Sequence, residues 1–137
     1  MIASASTDGK LRIRFLPIVV AVISFTMSFP FLSSTVKAFI FCPDRFLRKM
    51  NKEYLEHDYN TDVITFDNSE TKKKIAGEIY ISIDRINANA KTYSTTFRDE
   101  LHRVMIHGVL HLIGYDDSTA ALKARMRGKE DLYLAKR

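Results

Sequence analysis

A chain of 137 residues holds one domain, and a hydrophobic share of 46% supports one modest core. The net charge of +5 and an isoelectric point of about 9.4 favour a polyanionic partner, nucleic acid or an anionic membrane surface. The lone cysteine, Cys42, excludes an intramolecular disulfide, fits a reducing compartment, and reads as a small buried hydrophobe before Pro43.

No charged residue stands between Arg14 and Lys37, and residues 15–32 are mostly apolar. With Lys10, Arg12 and Arg14 in front, the run has the outline of a signal peptide, and it approaches the ~20 residues of a membrane span. Pro17 and Pro30 interrupt it, and Ser and Thr recur in its second half, which argues against both. The favoured reading of residues 1–35 is an atypical, non-native start, poorly ordered or packed opportunistically, with no stable membrane association.

Val36 to Phe41 is a short run of strand formers. Pro43 and Asp44 open a helix to about Glu56, with Pro at a first-turn position and Phe46, Leu47, Met50 and Tyr54 at helical spacing. Asp62 to Phe66 and Ile75 to Ile83 read as two strands of an antiparallel hairpin, joined by the polar stretch Asp67 to Lys74. Asp84 to Lys91 is a short helix. Thr95 or Thr96 caps the next one, with Asp99 and Glu100 near its positive end. That helix runs to about Ile113, with Leu101, Val104, Met105, Gly108 and Leu112 as its core face. Ser118 or Thr119 caps a last, basic helix. Strands and helices mix without a strand-helix repeat, so the class is α+β, a small mixed β-sheet packed with helices.

The most informative stretch is His107-Gly108-Val109-Leu110-His111-Leu112-Ile113-Gly114-Tyr115-Asp116-Asp117. Histidines four apart on a helix project from one face. Gly114 ends the helix and can return the chain, bringing an aspartate to an ion held by His107 and His111. Two imidazoles and one carboxylate suit zinc and leave one tetrahedral position open for water, the arrangement of a catalytic site. A pair of histidines alone is a weak signal; the fixed Gly-Tyr-Asp-Asp after it sharpens it. Asp117 is the expected third ligand. Asp116 competes for that place, or orients a ligand histidine from behind.

This stretch resembles the signature of the YbeY endoribonuclease family, His-Gly-x-Leu-His-Leu-x-Gly-Tyr-Asp-His, and departs from it at the last position, where Asp117 replaces the third histidine. Oxygen for nitrogen moves a site toward harder metals. Met50-Asn51-Lys52-Glu53-Tyr54, Thr61-Asp62-Val63-Ile64-Thr65-Phe66 and Gly77-Glu78-Ile79-Tyr80-Ile81-Ser82 are similar to further blocks of the family, in its order, from about residue 36 onward. Residues 36–137 are therefore read as the family's domain, with the metal site on a helix of the C-terminal half and the turn after it. Many members carry an arginine associated with the RNA chemistry where this chain has Leu55.

The resemblance implies a zinc-dependent, single-strand-directed endoribonuclease, a cytoplasmic hydrolase with one zinc ion per chain. It would act in 16S rRNA 3′-end maturation and ribosome quality control, with ribosomal RNA and the small ribosomal subunit as partners. The metal ligands implied are His107, His111 and Asp117. The competing reading is a non-catalytic ribosome-docking protein with a structural zinc, favoured by Leu55. A weaker one is a defective copy whose altered start destabilises the fold. No general base is evident: Gly108 stands where a His-Glu-x-x-His metalloprotease has glutamate, which argues against peptide hydrolysis. Arg103, four residues before His107, can face an incoming phosphate or lie on the surface. Glu100 is expected to face solvent or cap its helix, roughly 10 Å along the axis from His107. His102 lies off the ligand face, and Tyr115 is expected to pack under the turn or donate near the metal. Lys72, Lys73 and Lys74, and the set Lys123, Arg125, Arg127, Lys129, Lys136 and Arg137, are together a sequence-blind phosphate surface.

Overall fold

The computed structural model describes residues 2–4, 28–29, 32–71 and 74–136. Most of residues 1–35 therefore lie outside the described residues, as do Lys72, Lys73 and Arg137. Five strands form one mixed sheet: β1 (Ile2–Ser4), β2 (Ser28–Phe29), β3 (Leu32–Cys42), β4 (Val63–Asp67) and β5 (Lys74–Ser82), in the order β1-β4-β5-β3-β2. β5 pairs antiparallel with β4, as the hairpin reading expects, and parallel with β3. Among the described residues there are four helices: α1 (Asp44–Leu55), α2 (Ile83–Thr92) and α3 (Phe97–Leu112) join the cores on the two faces of the sheet, and α4 (Ala120–Leu134) packs on α3.

Alternation along the strands feeds two cores. Phe39, Val63, Ile75, Ile79 and Ile81 meet Ile86 of α2 and Val104 and Leu112 of α3. Ile40, Cys42, Ile64 and Tyr80 meet Leu47 and Met50 of α1 on the other side. Cys42 is buried there, and burial, with Asp44 and Asp84 adding to it, pushes its thiol up to about 12. It is the inert hydrophobe expected.

α1 begins one place later than the proline suggested. Pro43 is extended, at φ −74° and ψ 157°, and stands at the cap position rather than in the first turn. The helix ends where Glu56 turns left-handed at φ 58°. Leu55, the residue in the arginine's place, packs against the α1-side core. Where β3 passes into α1 and β5 into α2, the two helix starts are clasped. Asp84 Oδ2 accepts from the Asp44 backbone N–H at 2.8 Å, and Asp44 accepts from Ser82 Oγ and from Arg85 Nε. Carboxylates at helix N-termini are favoured by the dipole.

α3 starts at Thr96, whose hydroxyl accepts from the Asp99 N–H at 3.0 Å. Its expected core face is observed: Val104, Gly108 and Leu112 are buried, and Leu101 and Met105 are partly so. Gly108 sets how closely it approaches the sheet. A Cβ there would lie 2.7 Å from Ile79 Cγ2 and 3.3 Å from Val63 Cγ2. Gly108→Ala is expected to destabilise the fold by about 1–3 kcal/mol through overpacking, read as a lower midpoint in urea or heat. An unchanged midpoint would contradict this close approach. The opposite side of α3, which carries Arg103 and His107, is covered by α4. α4 is capped by Thr119 and turns Met126 and Glu130 inward.

Candidate metal centre

The two histidines stand one turn apart on α3. His111 is 1% exposed, while His107 opens toward a cleft of about 910 Å³ between α2, α3 and α4. Gly114 follows at φ +93°, and the Gly114 and Tyr115 N–H groups donate to the carbonyls of His111 and Leu110, both at 2.9 Å. The chain therefore turns back as its glycine predicted, and Asp117 comes round to face the histidines.

Protonation follows from the partners. His111 Nδ1 lies 3.0 Å from the Tyr115 carbonyl oxygen, which can only accept, so the ring hydrogen is on Nδ1. His107 Nδ1 lies 2.7 Å from Glu130 Oε1 and donates to that carboxylate in the same way. With Nδ1 carrying the hydrogen, each ring in its neutral form presents Nε2 as a lone pair; the two Nε2 atoms are 3.0 Å apart, with Asp117 Oδ1 at 3.7 Å from His111 Nε2. Burial, the leading cause, lowers the His111 pKa to about 4, so the ring is neutral at physiological pH. Two lone pairs and a carboxylate oxygen aimed at one another repel. A cation between them reverses the sign. One ligand atom from each of His107, His111 and Asp117 lies within 4.8 Å of the others. Ligands of a tetrahedral zinc are roughly 3.3–3.6 Å apart, so the donor set fits such an ion with little adjustment.

The rest of the neighbourhood corrects several expectations. Asp116 lies outside the group His107, His111 and Asp117, and its carboxyl is taken up by the turn. Its Oδ1 accepts from the Asp117 and Ser118 N–H groups and its Oδ2 from Ser118 Oγ at 2.6 Å, which builds the turn and holds its carboxyl below the usual range. Tyr115 supplies its backbone oxygen rather than its hydroxyl, and its ring lies under the Arg125 guanidinium at 5.1 Å. Glu100 is not solvent-facing. It is 3% exposed in the cleft wall, hydrogen-bonded to Asn89, and burial raises its pKa. Arg103 lines the cleft with both terminal nitrogens engaged, Nη1 on Glu130 Oε2 and Nη2 on Asp131 Oδ1, each at 3.1 Å. His102 is outside the ligand group.

Glu130 is the residue the sequence reading missed. Buried on α4, it bonds His107 with one oxygen and Arg103 with the other. Burial pushes its pKa up, but the His107 ring and the Arg103 guanidinium together lower it below the usual value. A signal existed: Glu130 lies one turn after Met126 on the inward side of a helix whose other charged residues are Lys123, Arg125, Arg127, Lys129 and Asp131.

Comparisons with known proteins agree. The family model described as Endoribonuclease YbeY matches residues 13–137, so the match begins upstream of the first motif block at Val36. The Endoribonuclease YbeY of Cytophaga hutchinsonii is 57% identical over 99 residues, 72% of this chain and 69% of that protein. That of Amoebophilus asiaticus is 57% identical over 96 residues, 70% of this chain and 65% of that protein. The chain thus spans about two thirds of the length of these relatives. The solution structure of TM1509 from Thermotoga maritima superposes with a TM-score of 0.51 at 33% identity, over 70% of this chain and 63% of that one. With a match along most of its length and the motif residues gathered about one point, this chain belongs to the YbeY endoribonuclease family.

Proposed function

We propose that the chain is a zinc-dependent endoribonuclease acting on single-stranded segments of ribosomal RNA precursors. Its place would be 16S rRNA 3′-end maturation and ribosome quality control in the cytoplasm, in association with the small ribosomal subunit. One observation carries the reading: two histidine lone pairs and one aspartate oxygen converge beside an open cleft, with the far side of each imidazole already bonded. When bound, the ion supplies Lewis acidity toward a phosphoryl oxygen and lowers the pKa of water toward neutrality. His107, His111 and Asp117 hold it. Glu130 and the Tyr115 carbonyl fix the two rings in the tautomer that presents Nε2.

Lys123 and Arg127 line the same cleft from α4, and among the described residues neither has an ion pair. They are free for backbone phosphates. A closed set of four protein ligands would support the docking-protein reading; the group among the described residues has three, which favours the enzyme. No helix of the described residues is long and apolar enough to cross a membrane.

The test is cleavage of a single-stranded RNA by the full chain, stripped by a chelator and reloaded with zinc. Activity should vanish and return; a stripped protein that cuts at the full rate would sink the proposal. RNA affinity should fall steeply with added salt, because phosphate contacts release counterions. A Kd flat across salt would remove the basic residues from the interface.

A further inference from the structure

The cleft extends beyond the metal-binding residues. Its other end is built by the end of α2, the start of α3 and the residue before β4, and is lined by Asp62, Asn89, Tyr93, Thr95 and Glu100. Glu100 precedes His107 by seven helical positions, about 10 Å along the axis. That is the scale of a neighbouring nucleotide rather than of the scissile one.

Tyr93 is the unusual residue there. A large aromatic side chain is ordinarily buried, yet this one is 64% exposed on the lip of a cleft. Its backbone is well anchored. The Tyr93 N–H donates to the Asn89 carbonyl at 2.8 Å, and Thr95 N–H to that of Ala90 at 2.9 Å, around Ser94 at φ 52°. The backbone that carries the ring is fixed while the side chain stays open to solvent. Lys123 and Arg127 stand on the α4 side of the same cleft. Beside the ring, Asn89 Nδ2 donates to Asp62 Oδ2 at 3.4 Å and the Asn89 side chain also bonds Glu100. A carboxylate oxygen accepts hydrogen bonds and does not donate, so the Asp62 part of this wall suits a partner that brings N–H groups. An aromatic face, basic groups opposite and an acceptor wall together match one chemistry: a nucleobase stacked on the ring, its phosphate turned to the cations, its exocyclic amino group turned to the wall.

We infer that this end of the cleft is a subsite for one unpaired nucleobase flanking the cleavage point, stacked on Tyr93 and selected for an amino group, so that cytosine is preferred to uracil. The inference rests on the reading of the cleft as a single-stranded RNA site.

The test uses the full, zinc-loaded chain and a short single-stranded RNA carrying an abasic residue at each position in turn. Anisotropy is read before turnover, and cleavage is followed in parallel. Wild type should lose affinity about 10-fold at one position. Tyr93→Ala should lose a similar factor on intact RNA and nothing further at that position, while Tyr93→Phe binds as wild type does. Cytosine-to-uracil exchange there should weaken wild type, and Asp62→Asn should erase the difference. Equal abasic penalties in wild type and Tyr93→Ala at every position would overturn the subsite. If that pattern coincides with normal cleavage, the nuclease reading stands alone. A position-specific loss without cleavage keeps the subsite and overturns the nuclease. No RNA binding by wild type overturns both.

Discussion

Replacing His111 with alanine is expected to abolish stoichiometric zinc, and with it RNA cleavage. Of the three donors this one has the least freedom: its ring is 1% exposed and its Nδ1 is bonded to the Tyr115 carbonyl. Metal content by mass spectrometry, wild type beside His111→Ala, gives the first answer: one zinc per chain in the former and none in the latter. Because His111 is buried, the alanine variant also leaves a cavity, so His111→Gln serves as a second variant that keeps most of the bulk. Both should bind no zinc while at least the glutamine form keeps a cooperative unfolding transition. Cleavage at the wild-type rate by metal-free His111→Ala would end the metalloenzyme reading.

Glu130→Ala is expected to weaken zinc binding by about 10–100-fold although it removes no ligand. The carboxylate is buried and bonded on both sides, to His107 Nδ1 at 2.7 Å and to Arg103 Nη1 at 3.1 Å. Without it, the His107 ring loses what fixes its tautomer, and Arg103 keeps Asp131 alone. Glu130→Gln should fall between, since an amide oxygen still accepts from the ring but carries no charge to raise its basicity. Affinity is measured by competition with a chelator of known strength. Wild-type affinity in Glu130→Ala would reduce Glu130 to a packing residue. Arg103→Ala tests the clamp behind it and should cost less, because Glu130 retains its bond to the ring.

Local pattern carried much of this. The strands β4 and β5 and the helices α1 to α4 lie within a residue or two of where alternation, helical spacing and caps put them: the strands and α1 to α3 each bury an apolar side in the two cores, and α4 packs on α3. β3 begins at Leu32 rather than Val36. Ser33, Ser34 and Thr35 are poor local evidence for a long strand, and their pairing with Lys74, Ile75 and Ala76 of β5 extends it. The histidine pair and the glycine turn were legible because their geometry depends on neighbours in sequence. The choice between Asp116 and Asp117 was not, since adjacent carboxylates differ only in which one the turn's own N–H groups capture. Glu100 and Glu130 were misread or missed for a further reason. A helical wheel gives the direction of a side chain but not what lies in that direction, and here it is the contact of α3 with α4.

The tight seat of Gly108 on the sheet bears on how such a centre can evolve. A glutamate beside the first histidine would match the catalytic pattern of zinc peptidases, and a sequence comparison places the two one substitution apart. In this fold that position faces Ile79 and Val63 rather than the cleft. The new side chain would start against the apolar core, where an unpaired charge is strongly disfavoured. Neighbouring sequences are thus distant in structure. Selection on this helix can tune the third ligand or the cleft walls by small steps, whereas acquiring a peptidase's base would require the whole helix to be reseated first.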